Sequence, residues 1–216
     1  MQEHLQQILL WILPVLAAVI FHEVAHGLVA SWLGDTTAAR AGRLTLNPIA
    51  HIDPVGTVIV PLLLLVTDAG FLFGWAKPVP VNYANLRNPR RDMVLVAAAG
   101  PALNLALAVL SATVIHGIRA MGVDETSALS SALLNPIIVM AHFGVLMNVF
   151  LAVFNLLPIP PLDGGRVLTG LLPVDWARGF ARIEPFGFLI LVALMMTHSL
   201  GKLVSPPIQL LLGLLL

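Results

Sequence analysis

Phe21-His22-Glu23-Val24-Ala25-His26-Gly27 lies inside a hydrophobic run. From Leu5 to Leu33 its only ionisable residues are His22, Glu23 and His26. The pattern is H-E-x-x-H. On a helix, residues i and i+4 stand about one turn apart on the same face, so His22 and His26 can aim two imidazoles at one metal ion. Glu23, beside the first of them, is placed to handle the proton of a water on that ion. Charged groups at membrane depth are expensive and are seldom left there without a partner or a purpose.

The surroundings of this stretch set the fold class. At about 1.5 Å per residue, Leu5 to Leu33 exceeds the roughly 30 Å hydrocarbon core of a bilayer. The 216-residue chain is 58% hydrophobic and 10% charged, with mean hydropathy +0.94. A soluble domain carries about a quarter charged residues. The formal net charge is zero, and no basic patch suggests nucleic acid as a partner. The absence of cysteine excludes disulfides and thiolate-ligated zinc. Met1 to Gln7 contains no Lys or Arg, so the first run reads as a retained span rather than a signal peptide. No polar stretch is long enough for a separate soluble domain. The expectation is one membrane-embedded unit over 1–216, with a core at about 5–172 and a C-terminal span and apolar tail at 183–216.

Further along, Arg43, Thr45 and Asn47 alternate with Leu44 and Leu46, which predicts a short β ribbon at the membrane surface. Val55 to Val66 is apolar but too short to cross as a helix. With Gly70, Gly74, Pro78 and Pro80 following it, Pro54 to Val81 reads as a re-entrant or loop-lined segment. Met93–Ile118, Ala132–Leu157 and Ile183–Leu200 are expected spans. A polar loop, Arg119 to Ser131, carries Asp124 and Glu125. Ser205–Leu216 is expected to be interfacial or packed on the bundle. The expected fold is an all-α, polytopic helix bundle with about four full spans, a re-entrant segment and a short membrane-associated β ribbon.

One arrangement gathers nine of the 11 Lys and Arg residues on one side, with the N-terminus outside and Thr36–Asp92 and Pro158–Arg182 inside. The positive-inside rule makes that side cytoplasmic. It holds only if Pro54–Val81 enters and returns, which supports the re-entrant reading independently of length.

A catalytic zinc commonly has three protein ligands and a water. The strongest candidate for the third is Asp163, in Asn155-Leu156-Leu157-Pro158-Ile159-Pro160-Pro161-Leu162-Asp163-Gly164-Gly165-Arg166, where a span ends in prolines and glycines. The orientation above puts Asp163 on the side of His22 and His26. The competing reading is an ordinary turn-forming Asp before two glycines.

His22-Glu23-Val24-Ala25-His26 followed by Asn155-x-x-Pro158-x-Pro160-x-Leu162-Asp163-Gly164 resembles the site-2 protease family of intramembrane zinc metalloproteases. Gly100-x-x-x-Asn104 and the Gly74-to-Pro80 loop resemble it too, so the likeness covers roughly Ile20 to Arg166. The resemblance implies a three-helix catalytic core holding one Zn2+ per chain within the membrane. It carries over His22, His26 and Asp163 as ligands and Glu23 as catalytic acid/base. It offers Asn155 as an oxyanion donor and Asn104 in a supporting role. Taken alone, Asn104 reads first as a hydrogen bond between helices. The expected reaction is hydrolysis of peptide bonds in or near transmembrane segments of membrane-anchored substrates. The expected location is the plasma membrane, with the site toward the cytoplasm. Unlike many members of the family, these 216 residues are expected to hold no inserted PDZ-like domain and no appended nucleotide-sensing domain. Rival readings are a zinc- or proton-coupled transporter and a non-catalytic membrane scaffold. Glu23 beside the ligand pair and the absence of an evident internal repeat argue against the first.

Overall fold

A computed structural model describes residues 2–68, 74–122 and 130–216. The chain opens with α1 (Gln2–Trp32), an uninterrupted helix of 31 residues that keeps Pro14 inside it. A short helix α2 (Thr37–Arg40) follows. Next come a π-helical turn at Pro54–Ile59 and α3 (Val60–Val66). The rest of the chain folds as α4 (Pro89–Ala120), α5 (Asn135–Asn155), α6 (Asp163–Leu171), α7 (Val174–Ala181), α8 (Gly187–Met196) and α9 (Ser199–Leu215).

Helices α1, α4 and α5 pack on one another, α6 lies against α4, and α9 lies against α5. Between α4 and α5 the core is Ala108, Ala112 and Ile115 with Val145 and Val149, closed by Ile208, Leu211 and Leu212 of α9. Small residues at such a seam let helix backbones approach closely, which drives association where lipid removes the usual hydrophobic advantage. A second cluster, Ala30, Leu86 and Val96, ties the end of α1 to the start of α4.

Among the described residues, four stretches are long and apolar enough to cross a membrane: Leu10–Trp32, Pro89–Ala120, Ala132–Asn155 and Val174–Met196. The expected count stands, but the fourth stretch differs from the expected Ile183–Leu200. It begins earlier, and it is broken into α7, a 3-10 turn at Glu184–Phe186, and α8. Pro185 lacks the N–H that a continuous helix would use there. The apolar tail is longer than expected, because α9 starts at Ser199.

The β ribbon is not found, since no strand occurs among the described residues. Local bonds take the groups that a ladder would need. Arg43 N–H donates to Ala38 O, Asn47 N–H to Thr45 Oγ1, and His51 Nε2 to Thr45 O. Asn47 Oδ1 accepts from Ile49 N–H and starts a 3-10 turn. Thr and Asn side chains compete with ladders in this way.

Pro54–Val66 is helical rather than irregular. Asp53 caps it by accepting from Val55 N–H (3.0 Å) and Gly56 N–H (2.7 Å), and Pro54 occupies the first turn, where its missing N–H costs nothing. The chain then returns to the start of this helix. Trp75 N–H donates to Gly56 O, and Lys77 N–H donates to His51 O. The expectations that fell on Gly70, Asp124 and Glu125 lie outside the described residues.

Candidate metal centre

The i, i+4 spacing on α1 does what helix geometry requires: His22 and His26 point the same way, with their Nε2 atoms 3.0 Å apart. Asp163, the first residue of α6, meets both. Its Oδ2 lies 3.1 Å from His22 Nε2 and 3.2 Å from His26 Nε2. All three residues are buried. They form the one group of at least three His, Asp or Glu residues among those described whose ligand atoms could hold a metal ion.

The remaining imidazole nitrogens fix which atom is free to coordinate. His26 Nδ1 lies 2.7 Å from Val96 O, which can only accept, so Nδ1 carries the proton. His22 Nδ1 lies 2.6 Å from Asn104 Oδ1, and Asn104 Nδ2 donates to Ala18 O (3.1 Å), so Nδ1 is again the donor. Each ring therefore turns its Nε2 inward, and in the neutral form that atom offers a lone pair. In that form two lone pairs and a carboxylate oxygen converge with no donor among them. A cation resolves this. Zinc with ligands at about 2.0–2.1 Å in a tetrahedron spaces them about 3.3 Å apart, close to what is found. The donor set fits zinc.

Glycine makes the centre possible. A Cβ on Gly100 would stand 2.4 Å from His26 Nε2 and 2.7 Å from His22 Nε2, so only a residue without a side chain fits opposite the pair. Gly27 does the same for the other wall. A Cβ there would meet Leu44 Cδ2 at 2.5 Å and Val79 Cγ1 at 2.8 Å. That close approach brings the 77–81 segment onto α1, where Val79 N–H donates to Glu23 Oε2 (2.8 Å).

Asp35 anchors the same segment. It is fully buried. Its oxygens accept from Asn82 N–H (2.7 Å), Asn85 Nδ2 (3.0 Å), Thr37 N–H (3.1 Å) and the Thr37 hydroxyl. Burial works against its charge, but the bonds from Thr37, Asn85 and Asn82 outweigh it and hold the carboxyl below its ordinary value.

The sequence candidates thus fall into two groups. His22, His26, Asp163 and Asn104 come together, and Glu23 adjoins them. Asn155 sits in the last turn of α5, where its Nδ2 donates to Leu151 O (3.0 Å). His51, which is not among those candidates, is buried and bonded to Thr45 O, and it is not one of the grouped ligands. Sequence reasoning missed Val79 and Asp35. A backbone N–H has no residue signature, although the Pro78-Val79-Pro80 pattern leaves Val79 the only donor of the three. Asp35 reads as a helix stop.

A helical membrane protein whose H-E-x-x-H pair and distant aspartate converge on one buried point has the build of a membrane metalloprotease. The family model for peptidase family M50 matches residues 10–198. The chain belongs to that family, the site-2 proteases. Among its relatives is YwhC of Bacillus subtilis, named as a zinc metalloprotease, 39% identical over 91% of this chain and 84% of the relative. Rip2 of Mycolicibacterium smegmatis, also named as a zinc metalloprotease, is 32% identical over 87% of this chain, which spans 66% of that protein. MJ0611 of Methanocaldococcus jannaschii, similarly named, is 30% identical over 79% of this chain and 75% of the relative. No solved structure matches the chain.

Proposed function

We propose that the protein is an intramembrane zinc metalloprotease that hydrolyses peptide bonds in or near the transmembrane segments of membrane-anchored proteins, as in regulated intramembrane proteolysis. The observation that carries this reading is the convergence of His22 Nε2, His26 Nε2 and Asp163 Oδ2 at 3.0–3.2 Å, with Glu23 adjoining. His22, His26 and Asp163 hold one zinc. Zinc bound there polarises a peptide carbonyl and brings the pKa of a water toward neutrality.

The chain's own residues do the rest. Glu23 takes a proton from the attacking water and returns one to the leaving amine as the C–N bond breaks. Val79 N–H donates to its Oε2 and so orients the carboxylate. Asn155 has two amide hydrogens and spends one on Leu151 O, so the other is available to the developing oxyanion. A substrate helix shields its carbonyls with internal hydrogen bonds and must unwind to react. Helix-breaking residues near the scissile bond therefore speed cleavage. The protein sits in the plasma membrane as a multi-pass protein, with the centre toward the cytoplasm and Pro54–Val81 re-entrant, in contact with lipid and without nucleic acid.

The test is cleavage of a tagged single-span substrate co-reconstituted in liposomes. Wild type is expected to cleave it. Glu23→Gln lowers the rate by about 10²–10⁴ while keeping zinc. Equal cleavage by Glu23→Gln overturns the assignment. Zinc transport into the vesicles without cleavage points to a transporter instead.

A further inference from the structure

We propose that Asn148 is a positioning residue for the metal centre. Acting through Asn104, it fixes which nitrogen of His22 faces the ligand cluster. The two asparagines are buried in the bundle, Asn104 at 0% and Asn148 at 4% exposure. Asn148 Nδ2 donates to Gly144 O (2.8 Å), one turn back in its own helix. Asn104 Nδ2 donates to Asn148 Oδ1 (2.8 Å) and to Ala18 O (3.1 Å). Asn104 Oδ1 accepts from His22 Nδ1 (2.6 Å). The relay crosses α5, α4 and α1 in that order and ends on a ligand.

Its direction is set by two backbone carbonyls, which can only accept. Gly144 O requires the nitrogen of Asn148, so Asn148 presents its oxygen to Asn104. Ala18 O and Asn148 Oδ1 together take both hydrogens of the Asn104 amide, so Asn104 presents its oxygen to His22. Flipping Asn104 would set its oxygen against two other oxygens, where buried polar groups lack water to relieve them. His22 must then donate from Nδ1, which leaves the Nε2 lone pair for the metal. His26 needs no relay, because its Nδ1 partner is the Val96 carbonyl, which cannot flip. The partner of His22 is an amide, which can. Ala18 O and the second amide behind it remove that freedom together.

The inference rests on the metal-centre reading only for its second readout. The first is made in metal-free protein: the full chain in nanodiscs with ¹⁵N-labelled histidine, in which the His22 signals are identified by their loss in His22→Ala. Read in alkaline buffer, where an imidazole is neutral, wild type is expected to show the Nδ1–H tautomer at His22. Asn148→Leu, of similar size but without polar atoms, is expected to give mixed tautomers at His22 and an unchanged His26. Zinc affinity, read by chelator competition, should weaken by about 10–100-fold. Asn148→Asp should restore both, since its neutral carboxyl can donate to Gly144 O and accept from Asn104.

An unshifted tautomer and unchanged zinc affinity in Asn148→Leu would make Asn148 a helix-packing residue and overturn the proposal. If Asn148→Leu does not fold, Asn148→Ala is read the same way. A tautomer shift in a chain that binds no zinc would support the relay and defeat the metal-centre reading. Normal zinc binding with an unshifted tautomer does the reverse.

Discussion

At position 100 a methyl group decides whether two imidazoles can meet. Alanine there would put its Cβ within 2.4–2.7 Å of His26 Nε2, His22 Cε1 and His22 Nε2. Alanine is the better helix former by about 1 kcal/mol, which offsets part of an overpacking cost of about 1–3 kcal/mol. Gly100→Ala should therefore lose zinc affinity, about tenfold or more, with a much smaller loss of folding. Chelator competition and thermal unfolding of the same sample check the contrast.

Asp35 gives a prediction in pH. Its folded pKa is depressed, so its contribution is present above the ordinary carboxylate range and is lost as pH falls through the folded value. Asp35→Asn should cost about 1.5–3 kcal/mol at neutral pH, the range for hydrogen bonds to a charged group. The gap to wild type should close in acid. A gap constant with pH would show that the charge is not what matters.

Among the elements, the extended segment after Gly74 is the least regular part of the site and one of the most consequential. Pro78 and Pro80 have no N–H, and the one donor between them goes to Glu23. Val79→Pro removes it. It should reduce cleavage by about 10–100-fold with zinc retained, whereas Val79→Ala, which keeps the N–H, should fall far less. Equal loss in both variants would assign the effect to the Val79 side chain.

This segment also marks the limit of reading the chain. The His22–His26 pair was legible because helix spacing is local. The long spans were legible because hydrophobic runs are local too. Asp163 needed the topology argument and the paired motif, because nothing local distinguishes it from a turn Asp. The alternation from Arg43 to Asn47 misled, because Thr45 and Asn47 spend their side chains on neighbouring backbone rather than standing out from a ribbon. Asn148 gave no signal, since an Asn inside a span reads as ordinary helix-to-helix bonding.

For the whole molecule, the centre joins α1 to α6, and the asparagine relay joins α1 to α4 and α5. A ligand that binds only the folded state stabilises it by mass action. Zinc at 100 times its dissociation constant contributes about 2.7 kcal/mol. A chelator should therefore lower the unfolding temperature of wild type and leave Asp163→Ala unmoved. A single metal between α1 and α6 is read out by the zinc content of purified, folded wild type, Asp163→Ala and Glu23→Gln. About one zinc per chain is expected in wild type and Glu23→Gln, and almost none in Asp163→Ala. Folded wild type without zinc, or Asp163→Ala that keeps it, would rule the metal centre out.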